Sequence, residues 1–144
     1  MADNAHLRLQ DVLMATAQEL VAKLDADACA ISRVIGDVLI AVAEAVTAGQ
    51  SLQSGQGYLA SDFPETLAVL DSGRPRMITL ADAHVDSNEA RVLCELGFAT
   101  LLMLRLDLSG APWGLVEIYR EDARPFGDED VRLGTEILTL QPIA

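Results

Sequence analysis

Residues 98–120 read Phe98-Ala99-Thr100-Leu101-Leu102-Met103-Leu104-Arg105-Leu106-Asp107-Leu108-Ser109-Gly110-Ala111-Pro112-Trp113-Gly114-Leu115-Val116-Glu117-Ile118-Tyr119-Arg120. The segment from Phe98 to Leu108 is the most apolar run in the chain. It has the length of a central strand and is too short to cross a membrane. Ser109-Gly110-Ala111-Pro112 turns the chain, and Trp113 to Arg120 returns as the hairpin partner. On the returning strand Glu117 and Tyr119 alternate with Val116 and Ile118, so the two pairs take opposite faces of the sheet. One face meets helices and the other is available to a pocket. If Glu117 and Tyr119 point to the pocket, they supply a charged acceptor and a hydroxyl for ligand recognition; the alternative is that they lie at a sheet edge or a helix interface.

Outward from this hairpin the elements follow in order. Leu9, Val12, Leu13, Thr16, Ala17, Leu20, Val21 and Leu24 recur at three- and four-residue steps, which predicts a first helix from about Asn4 to Leu24. Ala28 to Ile35 and Val38 to Val46 form a second hairpin around Gly36-Asp37. Thr47 to Ala60 is rich in Gly, Gln and Ser and reads as a long surface loop. Asp62-Phe63-Pro64-Glu65 predicts an N-cap, an early proline and a reciprocal glutamate for a short helix that stops at Gly73. Arg76 to Thr79 is a short strand. Asp86-Ser87-Asn88-Glu89 repeats the capping box before a helix bearing Ala90, Leu93, Cys94 and Leu96 and ending at Gly97. Phe126 to Asp130 caps a last helix that runs to Leu140. The order implies a single α+β domain over residues 1–144. A central antiparallel sheet of five to six strands carries the terminal helices on one face, with short helices and loops over a pocket on the other.

Composition narrows the partners. Twenty-two acidic residues against ten basic ones give a net charge of −12, and Lys23 is the only lysine. That field repels a phosphate backbone or an anionic bilayer, so neither nucleic acid nor membrane is expected as a partner. The N-terminus lacks the basic and apolar regions of a signal peptide, and the expectation is a cytoplasmic protein. Cys29 and Cys94 are too few for a disulfide framework and read as two buried thiols acting as small hydrophobes. His6 and His84 supply no local zinc set. Asp82, His84 and Asp86 alternate in a way that would put three metal-binding side chains on one face. Without a second converging cluster they read as a solvated loop, with Asp86 capping the next helix.

Several residue groups together resemble the GAF domain family over nearly the whole chain. These are Leu24 to Ile31 at the entry into the first strand, Asp71-Ser72-Gly73-Arg74-Pro75 followed by Ile78 and Asp82, and Leu96 to Leu102. The most telling is Pro112 to Tyr119 followed by Arg124-Pro125-Phe126 and Asp130. The resemblance implies a bacterial signal-transduction module that senses a small molecule or dimerises and is tethered to an output domain. Two-component and cyclic-di-GMP systems are the usual settings. No kinase, G-G-D-E-F or H-D signature is present, so the expectation is a sensory domain excised from a larger signalling protein. It also implies a homodimer built from the outer faces of the terminal helices, with Ala15, Ala22 and Gly134 permitting close approach.

Asn88-Glu89 stands where bilin-binding relatives carry their cysteine, and Cys94 follows about six residues later, so a covalent bilin is not expected. Tyr119-Arg120 replaces the Asn-Lys pair of cyclic-nucleotide-binding relatives. His84 is the sole histidine near a haem position. No cofactor is therefore assigned, and the ligand is an unidentified small molecule. Tyr58, Phe63, Phe98 and Met103 are candidate pocket walls, and Arg74 and Arg76 are candidate anion clamps at the rim. Asp82, Glu117 and Tyr119 complete the candidate ligand-binding set. The expected function is non-catalytic. The alternatives are a pocketless dimerisation module, or a redox enzyme of the free methionine sulfoxide reductase type, whose clustered cysteines are absent here.

Overall fold

The structure, a computed structural model, describes residues 2–47, 57–82 and 87–139. Helix α1 (Ala2–Lys23) leads into strands β1 (Ala28–Ile35) and β2 (Val38–Val46). A short strand β3 (Gly57–Leu59) and a 3-10 turn (Ala60–Asp62) precede α2 (Pro64–Ser72). Then come β4 (Arg76–Thr79), α3 (Ser87–Glu95), the hairpin β5 (Thr100–Leu108) and β6 (Ala111–Arg120), and α4 (Asp128–Thr139). The strands form one antiparallel sheet in the order β3-β2-β1-β6-β5-β4. No described helix is long and apolar enough to cross a membrane.

The period-2 alternation of the hairpin sorts the core into two layers. Val116 and Ile118 of β6, with Leu102, Leu104 and Leu106 of β5, pack under Leu13 and Leu20 of α1, Leu24 just beyond its end, and Ile137 of α4. Leu115 and Tyr119, with Leu101 and Met103, face the opposite side and pack toward Val69 of α2 and Leu93 of α3. The terminal helices thus cover one face and the short helices the other, as the hairpin pattern implies. Gly114 permits the tight pairing of β6 with β1, since a Cβ there would lie 2.2 Å from the Ser32 carbonyl oxygen.

Four local expectations are corrected. Residues 57–59, expected within the polar loop, pair with Val38–Ile40 as the edge strand β3, because Gly57 and Leu59 reach the open edge of β2. Asp62 does not cap α2. It is spent in the 3-10 turn, and Phe63 occupies the N-cap with no side-chain bond. The cap comes instead from α3, where Glu89 Oε1 accepts the backbone N–H of Glu65 at 2.9 Å and of Thr66 at 3.1 Å. Gly134, expected to lie at a dimer contact, is buried inside the chain against Leu104, Leu24 and Leu20. Cys29 is buried, but Cys94 is exposed, because the inward stripe of α3 is set by Glu89, Val92 and Leu93. At the end of α2, Gly73 adopts φ +75° and returns its N–H to the Val69 carbonyl.

Arg120 closes the helix-covered end of the sheet. Its buried guanidinium donates to the carbonyls of Leu24, Asp25, Arg124 and Pro125 and stacks 4.0 Å over the Phe126 ring. Asp130, which also accepts the Gly127 N–H at the start of α4, lies 3.6 Å from it. One side chain therefore ties the end of α1 and the start of α4 to the last residue of β6.

Candidate functional site

The sequence of β1 creates the space for a site. On the face away from the terminal helices, β1 presents Ala28, Ala30 and Ser32 in alternation, and β2 places Ala41 opposite Ser32. The neighbouring strand β6 presents the much larger Glu117 opposite Ala30 and Tyr119 opposite Ala28. Small residues beside large ones leave a depression, and α2, α3 and β3 roof it. The result is a cavity of about 250 Å³, with Ala30, Ser32 and Ala41 in its floor. Glu89, Val92, Leu93 and Leu96 recur at i, i+3, i+4 and i+7, so they line one wall as a single helical stripe.

The polar groups converge on Glu117. Tyr58 Oη donates to its Oε1 at 3.0 Å from β3, and Tyr119 Oη donates to its Oε2 at 3.1 Å from β6. Burial pushes the Glu117 carboxyl above the usual carboxylate range, and the two phenolic donors pull it partly back. Burial and the adjacent Glu117 charge both push Tyr58 and Tyr119 up, so both phenols stay protonated as donors. The rings are fixed from behind. Tyr58 meets Phe63 edge-on at 5.3 Å, and Tyr119 stacks on Phe98 at 4.9 Å. The arrangement is a preorganised acceptor at the base of a largely apolar, aromatic-walled cavity.

Of the residues singled out in the sequence, the structure brings Tyr58, Phe63, Glu117 and Tyr119 together around this cavity. Phe98 and Met103 do not line it. They lie buried behind it, Phe98 against the Tyr119 ring and Met103 with its sulfur 3.5 Å from Thr66 Oγ1. Arg74, Arg76 and Asp82 do not line it either: Arg76 opens β4, Arg74 and Asp82 lie on either side of that strand, and all three are exposed to solvent. Arg76 is paired with Glu65. His84 and Asp86, and with them the alternation expected with Asp82, lie outside the described residues. Among the described residues no cluster of His, Cys, Asp or Glu is arranged to hold a metal ion. Cys29 sits in the helix-side core, where burial pushes its thiol up, and neither cysteine lines the cavity.

Sequence reasoning missed Ala30, Ser32, Ala41 and Glu89. Their signal was present in the alternating small residues of β1 and in the i, i+3, i+4 stripe of α3. Neither pattern marks a cavity until the sheet order sets Ala30 beside Glu117.

The family model described as GAF domain matches residues 8–140 of the chain. None of the curated proteins matches. Among solved structures, the chain resembles the phycoerythrobilin-bound GAF domain from a cyanobacterial phytochrome at 20% identity and TM-score 0.79, covering 92% of this chain and 82% of that one. It resembles the blue-light absorbing form of the Thermosynechococcus elongatus PixJ GAF domain at 17% identity and TM-score 0.80, covering 93% and 82%. It also resembles the GAF domain/HD domain protein from Geobacter sulfurreducens at 12% identity and TM-score 0.74, covering 90% and 86%. At these identities the likeness is one of fold.

Proposed function

The chain belongs to the GAF domain family, and from that premise we propose that it is a sensory domain that binds a small molecule between its sheet and its short helices. The observation that carries this reading is the cavity itself. A floor of small side chains, aromatic walls and one buried carboxylate oriented by two phenols is what orients a ligand rather than merely fills a core. The solved GAF structures with bound bilins support it as relatives in fold. The proposed role is one of binding, carried by the cavity lining described above.

The reading extends to signalling within a longer protein, with ligand binding coupled to the terminal helices and through them to a partner copy and an output domain. Helices α1 and α4 pack side by side over the face opposite the cavity, and Met14, Ala15 and Ala22 of α1 face outward. The test is native mass spectrometry of freshly purified protein at low and high activation. A mass excess that leaves on activation identifies a co-purified ligand. A clean apo mass, together with no thermal shift across a library of small metabolites, would remove the sensing half and leave a dimerisation module. The same spectra report the oligomeric state.

A further inference from the structure

We infer that the cavity takes a small organic cation carrying a single ring, an aryl-alkyl ammonium or amidinium, with its N–H donors on Glu117. This rests on the small-molecule reading above and narrows it to a ligand class.

Charge decides the sign of the ligand. The lining holds two carboxylates, Glu89 and Glu117, and no Lys, Arg or His among the described residues. A third carboxylate, Glu44, pairs across from Ala30 on the same sheet row, and its buried Oε2 has no hydrogen-bond partner among the described residues. The whole chain carries −12, so the long-range field also favours cations. An anionic ligand entering here would lose its hydration and gain no counter-charge.

Hydrogen-bond capacity decides the contact. Each Glu117 oxygen accepts one tyrosine O–H, which leaves each with a further lone pair for a ligand N–H. Tyr58 from β3 and Tyr119 from its own strand flank that carboxylate, and Glu89 of α3 lines the same cavity. Burial raises the Glu117 carboxyl, and a cation held against it restores the ionised form. The rings of Tyr58, Phe63 and Tyr119 then supply faces for a cation and walls for an aryl group.

Size decides the rest. A volume of about 250 Å³ falls below the ~300–1,000 Å³ of sites for drug-sized ligands, which limits the occupant to about one ring.

The test is isothermal titration calorimetry of the wild-type protein at about pH 7 with three probes of matched shape: benzylammonium, benzyl alcohol and benzoate. The expected result is benzylammonium bound about tenfold or more tightly than benzyl alcohol, with benzoate weakest. Glu117→Gln should lose that preference, and Ala30→Leu, which fills the floor, should lose binding of every probe. Equal or tighter binding of benzyl alcohol or benzoate, abolished by Ala30→Leu, overturns the cation class and leaves the small-molecule reading standing. Benzylammonium binding that survives Ala30→Leu, or no binding of any probe, overturns the inference outright, while the co-purified mass tests the broader reading separately. If Glu117→Gln fails to fold, the wild-type ranking and Ala30→Leu decide.

Discussion

Among single residues, Glu117 carries a burial cost that its two phenolic partners only partly offset. Its carboxyl is raised by burial against the pull of Tyr58 and Tyr119. The folded state therefore binds its proton more tightly than the unfolded chain does. The contribution of Glu117 to stability is present in full below the unfolded carboxylate value of about 4.3 and is lost as pH rises through the raised folded value. Gln keeps the shape and stays neutral, so Glu117→Gln should gain stability relative to wild type as pH climbs from about 4 toward neutrality. Parallel thermal melts across that range would check it, and a constant difference between the two proteins would count against a buried, titrating carboxyl. Gly114 poses the opposite case, a position where adding one atom is costly. A methyl there would meet the Ser32 carbonyl at 2.2 Å, and β6 cannot move away without disturbing its pairing to β5. Gly114→Ala should cost about 1–3 kcal/mol by denaturant titration, as overpacking does. The alternation of Val116, Glu117, Ile118 and Tyr119 was legible from sequence because a strand has one period. The role of Gly114 was not, since it depends on which strand lies beside β6.

At the scale of elements, the strong patterns were legible and the borrowed ones were not. The period of α1, the two hairpins and the stop at Gly73 follow from local sequence, and each stands where its residues predict. The edge strand β3 carries no strand period in its three residues, and it exists because the open edge of β2 accepts it. Helix α2 had a plausible cap of its own in Asp62, but its free N–H groups are satisfied by Glu89 from another helix, a solution no local motif can encode. Likewise, four site residues were recognisable by chemistry, whereas the alanine floor became a site only through sheet order. The cap in trans has a measurable consequence. Glu89→Ala should destabilise the domain by about 0.5–2 kcal/mol. It should also speed amide exchange at Glu65 and Thr66, whose N–H groups it holds, while α4 exchanges as before. Unchanged exchange in the first turn of α2 would show that water replaces the carboxylate without loss.

At the scale of the whole molecule, β6 is the element that both faces share. Its odd positions present Glu117 and Tyr119 to the cavity, its even positions present Val116 and Ile118 to the terminal helices, and Arg120 follows Tyr119 directly. The Tyr119 carbonyl also accepts the Asp27 N–H at the end of the turn from α1. A ligand that shifts Tyr119 or Glu117 therefore pulls on the residue that holds the end of α1 and the start of α4. A sensor needs its ligand to prefer one arrangement of the output elements over another, and this junction is where such a preference would act. Removing the guanidinium leaves carbonyls of Leu24, Asp25, Arg124 and Pro125 short of a donor. Arg120→Met should thus cost about 3–5 kcal/mol, and Arg120→Lys should recover only part of that, because an ammonium cannot reproduce the fork. The coupling can be separated from the stability. With a cavity ligand bound, wild-type protein should change its amide exchange at the C-terminal turn of α1 and the N-terminal turn of α4. Arg120→Lys, which still folds around the same cavity, should bind comparably and transmit less of that change. If Arg120→Lys transmits the full change, the signal travels through the packing of Val116 and Ile118 against the helices instead, and Ile118→Val becomes the substitution that weakens it.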